Sequence, residues 1–236
     1  MPSRKPNSSK GTSRSGGSSR RSSAPGLVRA LAAVARVASR LDVRWFLFGA
    51  QAVALYGVPR TTADVDVTLL CDKKIEIILE ALRQSGIEPL IEDDAFIERS
   101  RVIPAEHPAS GWRLDVVLGG TALEEQIAAD VRMMEVGKTT VPVVRLEHLL
   151  VLKVLAHRPQ DMADVARLID VRGDVIRFDE VTELLSALEE GLGEEGLLNT
   201  FEQLRASTNP ADRRERPDGP VARPRKTRKP RGRGTR

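Results

Sequence analysis

The segment ADVDVTLL, residues 63–70, sets Asp64 and Asp66 into an otherwise apolar, β-branched run. Strands disfavour aspartate and burial penalises an unpaired charge, so something has to hold these two carboxylates in place. Strand side chains alternate between faces, which puts Asp64 and Asp66 on one side and points Val65 and Val67 into a core on the other. Two carboxylates on one face repel and raise a pKa unless a cation sits between them. Mg²⁺ meets that need, because it takes oxygen ligands and is usually held by one or two carboxylates plus substrate phosphates. The alternative is a pair of solvent-facing charges at a sheet edge.

Asp115, in WRLDVVLG, is a third aspartate embedded in a strand of the same character. If the two strands are neighbours, the carboxylates converge, which is the geometry for one or two metal ions that activate a hydroxyl and stabilise a leaving pyrophosphate. Asp115 is then both a metal ligand and a candidate general base. Gly49 lies at the junction of an apolar strand, VRWFLFG, and a helix-like run, AQAVALYG. Backbone N–H groups at such a junction can meet a phosphate at close range, and a side chain on Gly49 would obstruct it. Arg60 can add a positive charge to the same triphosphate. Ala50 and Thr62, beside these elements, complete the nucleotide-binding candidates.

A second constellation lies downstream. Lys153 falls inside the apolar run 149–155, where a lysine is costly unless it snorkels or meets an anion. Asp161 and Asp164 are spaced i, i+3, so they share a helix face and can orient a cation such as Lys153 or Arg158. A salt bridge between two packed helices is the purely structural alternative.

Periodicity organises the rest. Residues 26–43 read as an amphipathic helix, KKIEIILEALRQSG as another, and TALE at 121–124 as a capping box opening a third. VRMMEV and TTVPVV are weaker strands, after which the chain is helical over 145–156, 160–171, 180–189 and 194–206. Trp45, Phe46 and Phe48 read as core, Tyr56 as the packed end of a helix, and His107, His148 and His157 as scattered surface or packing residues. Early alternation followed by helices predicts an α/β (α+β) chain, a small mixed sheet followed by a C-terminal helical bundle.

Charge is segregated along the chain. Residues 1–25 hold six Lys/Arg and no acid, and residues 213–236 hold eleven Lys/Arg against Glu215 and Asp218. The two ends together carry +15, which leaves −11 for the remainder of a chain whose net charge is +4. Residues 1–25 and 207–236 are expected to be disordered basic arms around a body of residues 26–206. Basic arms on an acidic body suit a polyanion such as nucleic acid, although they can also serve solubility alone. The single cysteine, Cys71, excludes an intrachain disulfide framework, and no CxxC or His cluster suggests zinc. No apolar run reaches the roughly 18 residues of a membrane span, and no secretory signal is present, so a cytoplasmic protein is expected.

Residues 46–68 resemble the signature of the minimal nucleotidyltransferases of the polymerase β superfamily, in which a glycine-led turn and helix precede a D-x-D strand and a third Asp lies on a later strand. FGAQAVALYGVPRTTADVDV with LLVLKVLAHRPQDMADVARLI is similar, more narrowly, to the AbiEii-type group, which includes nucleotidyltransferase toxins of toxin–antitoxin systems. That group carries a Lys on a C-terminal helix and a D-x-x-D shortly after it, matched here by Lys153 and by Asp161 and Asp164. The resemblance spans roughly residues 40–170 and departs at the turn, where the group has Gly-Ser or Gly-Gly and this chain has Gly49-Ala50.

The resemblance implies a nucleotidyltransferase domain over residues 26–144, a helical region over 145–206, and the nucleotidyltransferase fold. It implies Mg²⁺-dependent transfer of a nucleoside monophosphate from an NTP to an acceptor hydroxyl. Asp64, Asp66 and Asp115 would hold metal, Gly49, Ala50, Arg60 and Thr62 would bind nucleotide, and Lys153 with Asp161 and Asp164 would assist. The implied acceptor is RNA, a tRNA 3′ end, and the implied partner a cognate antitoxin protein. Two alternatives stay open: an antitoxin-type enzyme that adenylylates a partner protein, and a pseudoenzyme that binds nucleotide or nucleic acid without turnover.

Overall fold

A computed structural model describes residues 24–208. The chain runs α1 (Ala24–Leu41), β1 (Trp45–Leu47), α2 (Gly49–Leu55), β2 (Asp64–Leu70), α3 (Ile75–Gln84), β3 (Glu88–Pro89), α4 (Asp94–Ser100), β4 (Val102–His107) and β5 (Trp112–Gly119). It continues through α5 (Ala122–Ala129), β6 (Arg132–Val136), β7 (Thr139–Val143), α6 (Leu146–Ala156), α7 (Pro159–Arg172), α8 (Phe178–Leu192) and α9 (Leu197–Thr208). Most of the two expected arms lies outside the described residues. Their inner ends are helical: α1 begins at Ala24 with Pro25 in its first turn, where a missing N–H costs nothing, and α9 continues to Thr208.

The strands form one seven-stranded mixed sheet in the order β3-β4-β5-β2-β1-β7-β6. Its centre is the parallel pair β2 and β5, flanked by β1, antiparallel to β2, and β4, antiparallel to β5. Alternation along the central pair gives the sheet two unlike faces. Val65, Val67 and Leu69 of β2 lie beside Leu114, Val116 and Leu118 of β5, and all six are buried. The opposite face of the same strands carries Asp64, Asp66, Arg113 and Asp115. Removing the six apolar side chains from water stabilises the pairing by roughly 1.5–3 kcal/mol each, enough to hold the carboxylates on the other face.

Helix α1 packs on α3, β5 and β7, and α6 to α9 pack on one another, with α2 joining the sheet to α6. The junction is reinforced by Tyr56, whose hydroxyl donates to the Val144 carbonyl at 2.9 Å, and by Arg172, whose Nε donates to the Tyr56 carbonyl at 2.7 Å. Burial pushes the Tyr56 phenol up to about 12, so it is a neutral, packed donor. The capping box at Thr121 and Glu124 forms as the sequence predicts. Residues 88–107 hold two strands and a helix that periodicity did not reveal. β3 has only two residues, and β4 carries Pro104, which removes a backbone donor and obscures the strand pattern.

Candidate active site

The parallel register sets Asp66 of β2 directly beside Asp115 of β5, with Asp64 one pleat away on the same face beside Arg113. Asp64 is fixed at the strand entrance, where its backbone N–H donates to Thr62 Oγ1 at 3.2 Å. Burial, first of all, pushes the Asp66 carboxyl above its ordinary range, and Asp115 and Asp64 push the same way against the Ala50 backbone N–H and Lys153. Asp115 is raised as well, by desolvation and then by Asp64, with Arg113 opposing. The face therefore carries negative charge that the side chains around it only partly offset.

β1 brings the glycine turn against this pair. The Phe48 backbone N–H donates to the Asp66 carbonyl at 3.0 Å, and the next residue, Gly49, has φ +64°. A Cβ there would stand 1.9 Å from Asp66 Oδ2 and 2.8 Å from Asp66 Cβ. The glycine is therefore required by close approach to a carboxylate as well as by its backbone conformation. The N–H of Ala50 serves that carboxylate, so the backbone, with no hydroxyl side chain, supplies the contact at this turn.

The downstream constellation closes the site from the helical side. Lys153 on α6 is buried, and its Nζ donates to Asp161 Oδ1 at 2.7 Å and meets Asp164 Oδ2 at 2.9 Å. Asp164 also pairs with Arg60. The cations that the D-x-x-D spacing recruits are thus Lys153 and Arg60, whereas Arg158, a candidate from sequence, lines the site without joining the pair. Asp161 Oδ2 is buried with no hydrogen-bond partner among the described residues.

All the sequence-selected positions except Asp164 line one cavity of about 310 Å³: Gly49, Ala50, Arg60, Thr62, Asp64, Asp66, Asp115, Lys153 and Asp161. Asp164 lies behind it, 1% exposed, as the anchor of Lys153 and Arg60. Phe48, expected as core, is half-buried and also lines the cavity, with Leu149, Leu152, Ala156 and Gln160. The α6 wall residues were legible in principle, since 149, 152, 153 and 156 recur at helical spacing around Lys153, whereas Gln160 comes from the first turn of α7. A larger cavity of about 570 Å³, lined from α7, α8 and α9, shares no lining residue with the first.

Chemically the site offers hard oxygen donors on one strand face, backbone N–H groups at a glycine turn, and buried cations opposite. Among the described residues no three or more His, Cys, Asp or Glu side chains stand grouped so as to hold a metal ion by themselves.

The chain is similar to several solved structures of distant sequence. An antigenic nucleotidyltransferase-like protein from Paracoccidioides brasiliensis is 14% identical, with 77% of this chain and 93% of that one covered at a TM-score of 0.47. A protein from H. pylori described as a nucleotidyltransferase is 14% identical, with 81% and 98% covered and a TM-score of 0.41. ANT(2″)-Ia, in complex with adenylyl-2″-tobramycin, is 15% identical, with 78% and 99% covered and a TM-score of 0.40. No curated protein matches the chain. The model of the family described as nucleotidyl transferase AbiEii toxin, type IV toxin–antitoxin system, matches residues 29–223, and the chain belongs to this family of nucleotidyltransferases.

Proposed function

We propose that this chain transfers a nucleoside monophosphate from an NTP to a hydroxyl of RNA, a tRNA 3′ end, in a Mg²⁺-dependent reaction, as the cytoplasmic toxin of a toxin–antitoxin pair. The observation that carries the chemistry is the register of β2 and β5, which sets Asp66 and Asp115 side by side with Asp64 on the same face, at the mouth of a cavity walled by Gly49 and Lys153.

The residues fit a divalent cation. Asp64, Asp66 and Asp115 are hard oxygen donors, and the upward push on Asp66 and Asp115 marks a face where a positive charge is wanted. Mg²⁺ is commonly held by one or two carboxylates together with substrate phosphates, and these donors supply the carboxylates. When bound there it supplies charge stabilisation to the phosphates. The chain's own groups do the rest. The Gly49-Ala50 turn leaves room for the triphosphate, and Lys153, held by Asp161 and Asp164, presents buried positive charge to it. Asp115 takes the proton of the acceptor hydroxyl as that oxygen bonds to the α-phosphorus. The bond from the α-phosphorus to the bridging oxygen breaks, and pyrophosphate leaves with the electron pair.

RNA as acceptor is supported by the six and eleven Lys/Arg at the two ends of the sequence, since phosphate contacts give affinity without sequence preference. An antitoxin partner is supported by the family. The test is incubation of the purified protein with each labelled NTP, Mg²⁺ and total RNA, beside Asp64→Ala. Label in the tRNA band that is absent from the variant is the expected result. Label on a protein would favour the adenylylating alternative, and NTP binding without any labelled product would favour the pseudoenzyme.

A further inference from the structure

The cavity has a polarity in the plane of the sheet. Phe48 and Gly49 directly follow β1, the neighbour of β2 on one side, and Lys153 comes from α6, which packs on α2 just beyond that turn, while Asp115 is the one lining residue contributed by β5, the neighbour of β2 on the other side. A nucleotide occupying the cavity therefore lies on the β1 side. Attacking and leaving oxygens stand roughly in line across the transferred phosphorus, so the acceptor enters from the other side, over β5 and β4.

Among the described residues, Arg113 is the cationic side chain that β5 presents along that approach. Arg113 lies two residues before Asp115 on β5, on the same face and about 7 Å along the strand. Its side chain is exposed, and among the described residues no salt bridge holds it. The other cations of the site, Lys153 and Arg60, are tied to Asp161 and Asp164. Across the sheet Arg113 belongs to the row Asp64, Arg113, Glu106, Glu88, in which it is the only positive charge.

Resting on the RNA reading above, we propose that Arg113 binds the backbone phosphate nearest the attacking hydroxyl of the acceptor RNA. A free guanidinium suits this role, since it can grip a phosphate through two parallel hydrogen bonds. Glu106 and Glu88 set the limit: like charges beyond Arg113 turn the following phosphates away from the β3–β4 edge, so this surface makes one phosphate contact and no extended track.

The test measures KM for tRNA and for the NTP separately in the full-length protein, in Arg113→Ala and Arg113→Lys. The expected result for Arg113→Ala is a rise of about tenfold in the tRNA KM, an unchanged NTP KM, and a salt dependence shallower by about one unit of log–log slope. Arg113→Lys restores part of the tRNA KM, because charge returns without the planar fork. An unchanged tRNA KM in an active protein overturns the proposal, as does an equal rise in both KM values. A wild-type protein that labels protein and not RNA overturns the RNA reading itself, which is a separate and visible failure.

Discussion

Gly49 and Asp66 are in contact closer than any side chain would permit: a Cβ at Gly49 falls 1.9 Å from Asp66 Oδ2, and even Asp66 Cβ is only 2.8 Å away. Rotating the carboxylate cannot relieve the clash, because the Asp66 Cβ is itself part of it. Gly49→Ala is expected to cost about 1–3 kcal/mol of stability through strain at φ +64° and to displace Asp66. A displacement of about 1 Å at a reacting centre lowers turnover by about a hundredfold. Pyrophosphate release and a thermal melt on the same preparation separate the two effects. Activity within a fewfold of wild type would contradict the close approach.

The raised carboxyls make a stability prediction of definite sign. A carboxyl whose folded pKa is raised contributes stability that is fully present below its unfolded pKa and lost as the pH rises through the folded value. Asp66 and Asp115 are both raised, so their contribution is lost as the pH rises above the ordinary carboxylate range through their folded values. Asp66→Asn removes the charge and is expected to raise Tm in metal-free buffer while abolishing transfer. Mg²⁺ should raise the Tm of wild type and leave that of the variant nearly unchanged, which differential scanning fluorimetry reads directly.

Lys153 is the most exacting position in the helical half. It is buried between Asp161 and Asp164, and Lys153→Ala leaves Asp164 with Arg60 and Asp161 with no salt-bridge partner among the described residues. Removing one partner of a buried ion pair costs about 3–5 kcal/mol, which in a domain of this size lowers Tm by roughly 6–20 °C. Arg60→Ala is expected to cost less, since Asp164 keeps Lys153. Urea unfolding of both variants checks the order.

Tyr56 supplies a control outside the chemistry. Its phenol, raised to about 12, contributes stability that is complete below about pH 10 and is lost as the pH rises through about 12. Tyr56→Phe removes the hydrogen bond to Val144 and is expected to cost about 1 kcal/mol while leaving turnover unchanged. The variant should also lose part of the alkaline destabilisation seen in wild-type melts between pH 10 and 12.

How far the sequence could be read follows from how local each signal was. The D-x-D strand announced itself because aspartate violates strand preference twice with the same parity, and WRLDVVLG because its apolar alternation is strong. The adjacency of these strands is nonlocal, and only the register shows that Asp66 faces Asp115. β3 and β4 were illegible because one is two residues long and the other is interrupted by Pro104. Arg60, read as a phosphate ligand four residues before Asp64, lines the cavity and also pairs with Asp164, more than a hundred positions away, a contact no local signal announces. Phe48, read as core, packs against the core and also lines the cavity, two roles that hydrophobicity alone does not distinguish.

The most direct test of the account is pyrophosphate release with each NTP, Mg²⁺ and total RNA, comparing wild type with Asp64→Ala and Asp66→Ala. The account predicts NTP- and RNA-dependent release by wild type and none above background from either variant, with all three proteins folded. Release that persists in the variants would show that the β2 carboxylates do not carry the transfer.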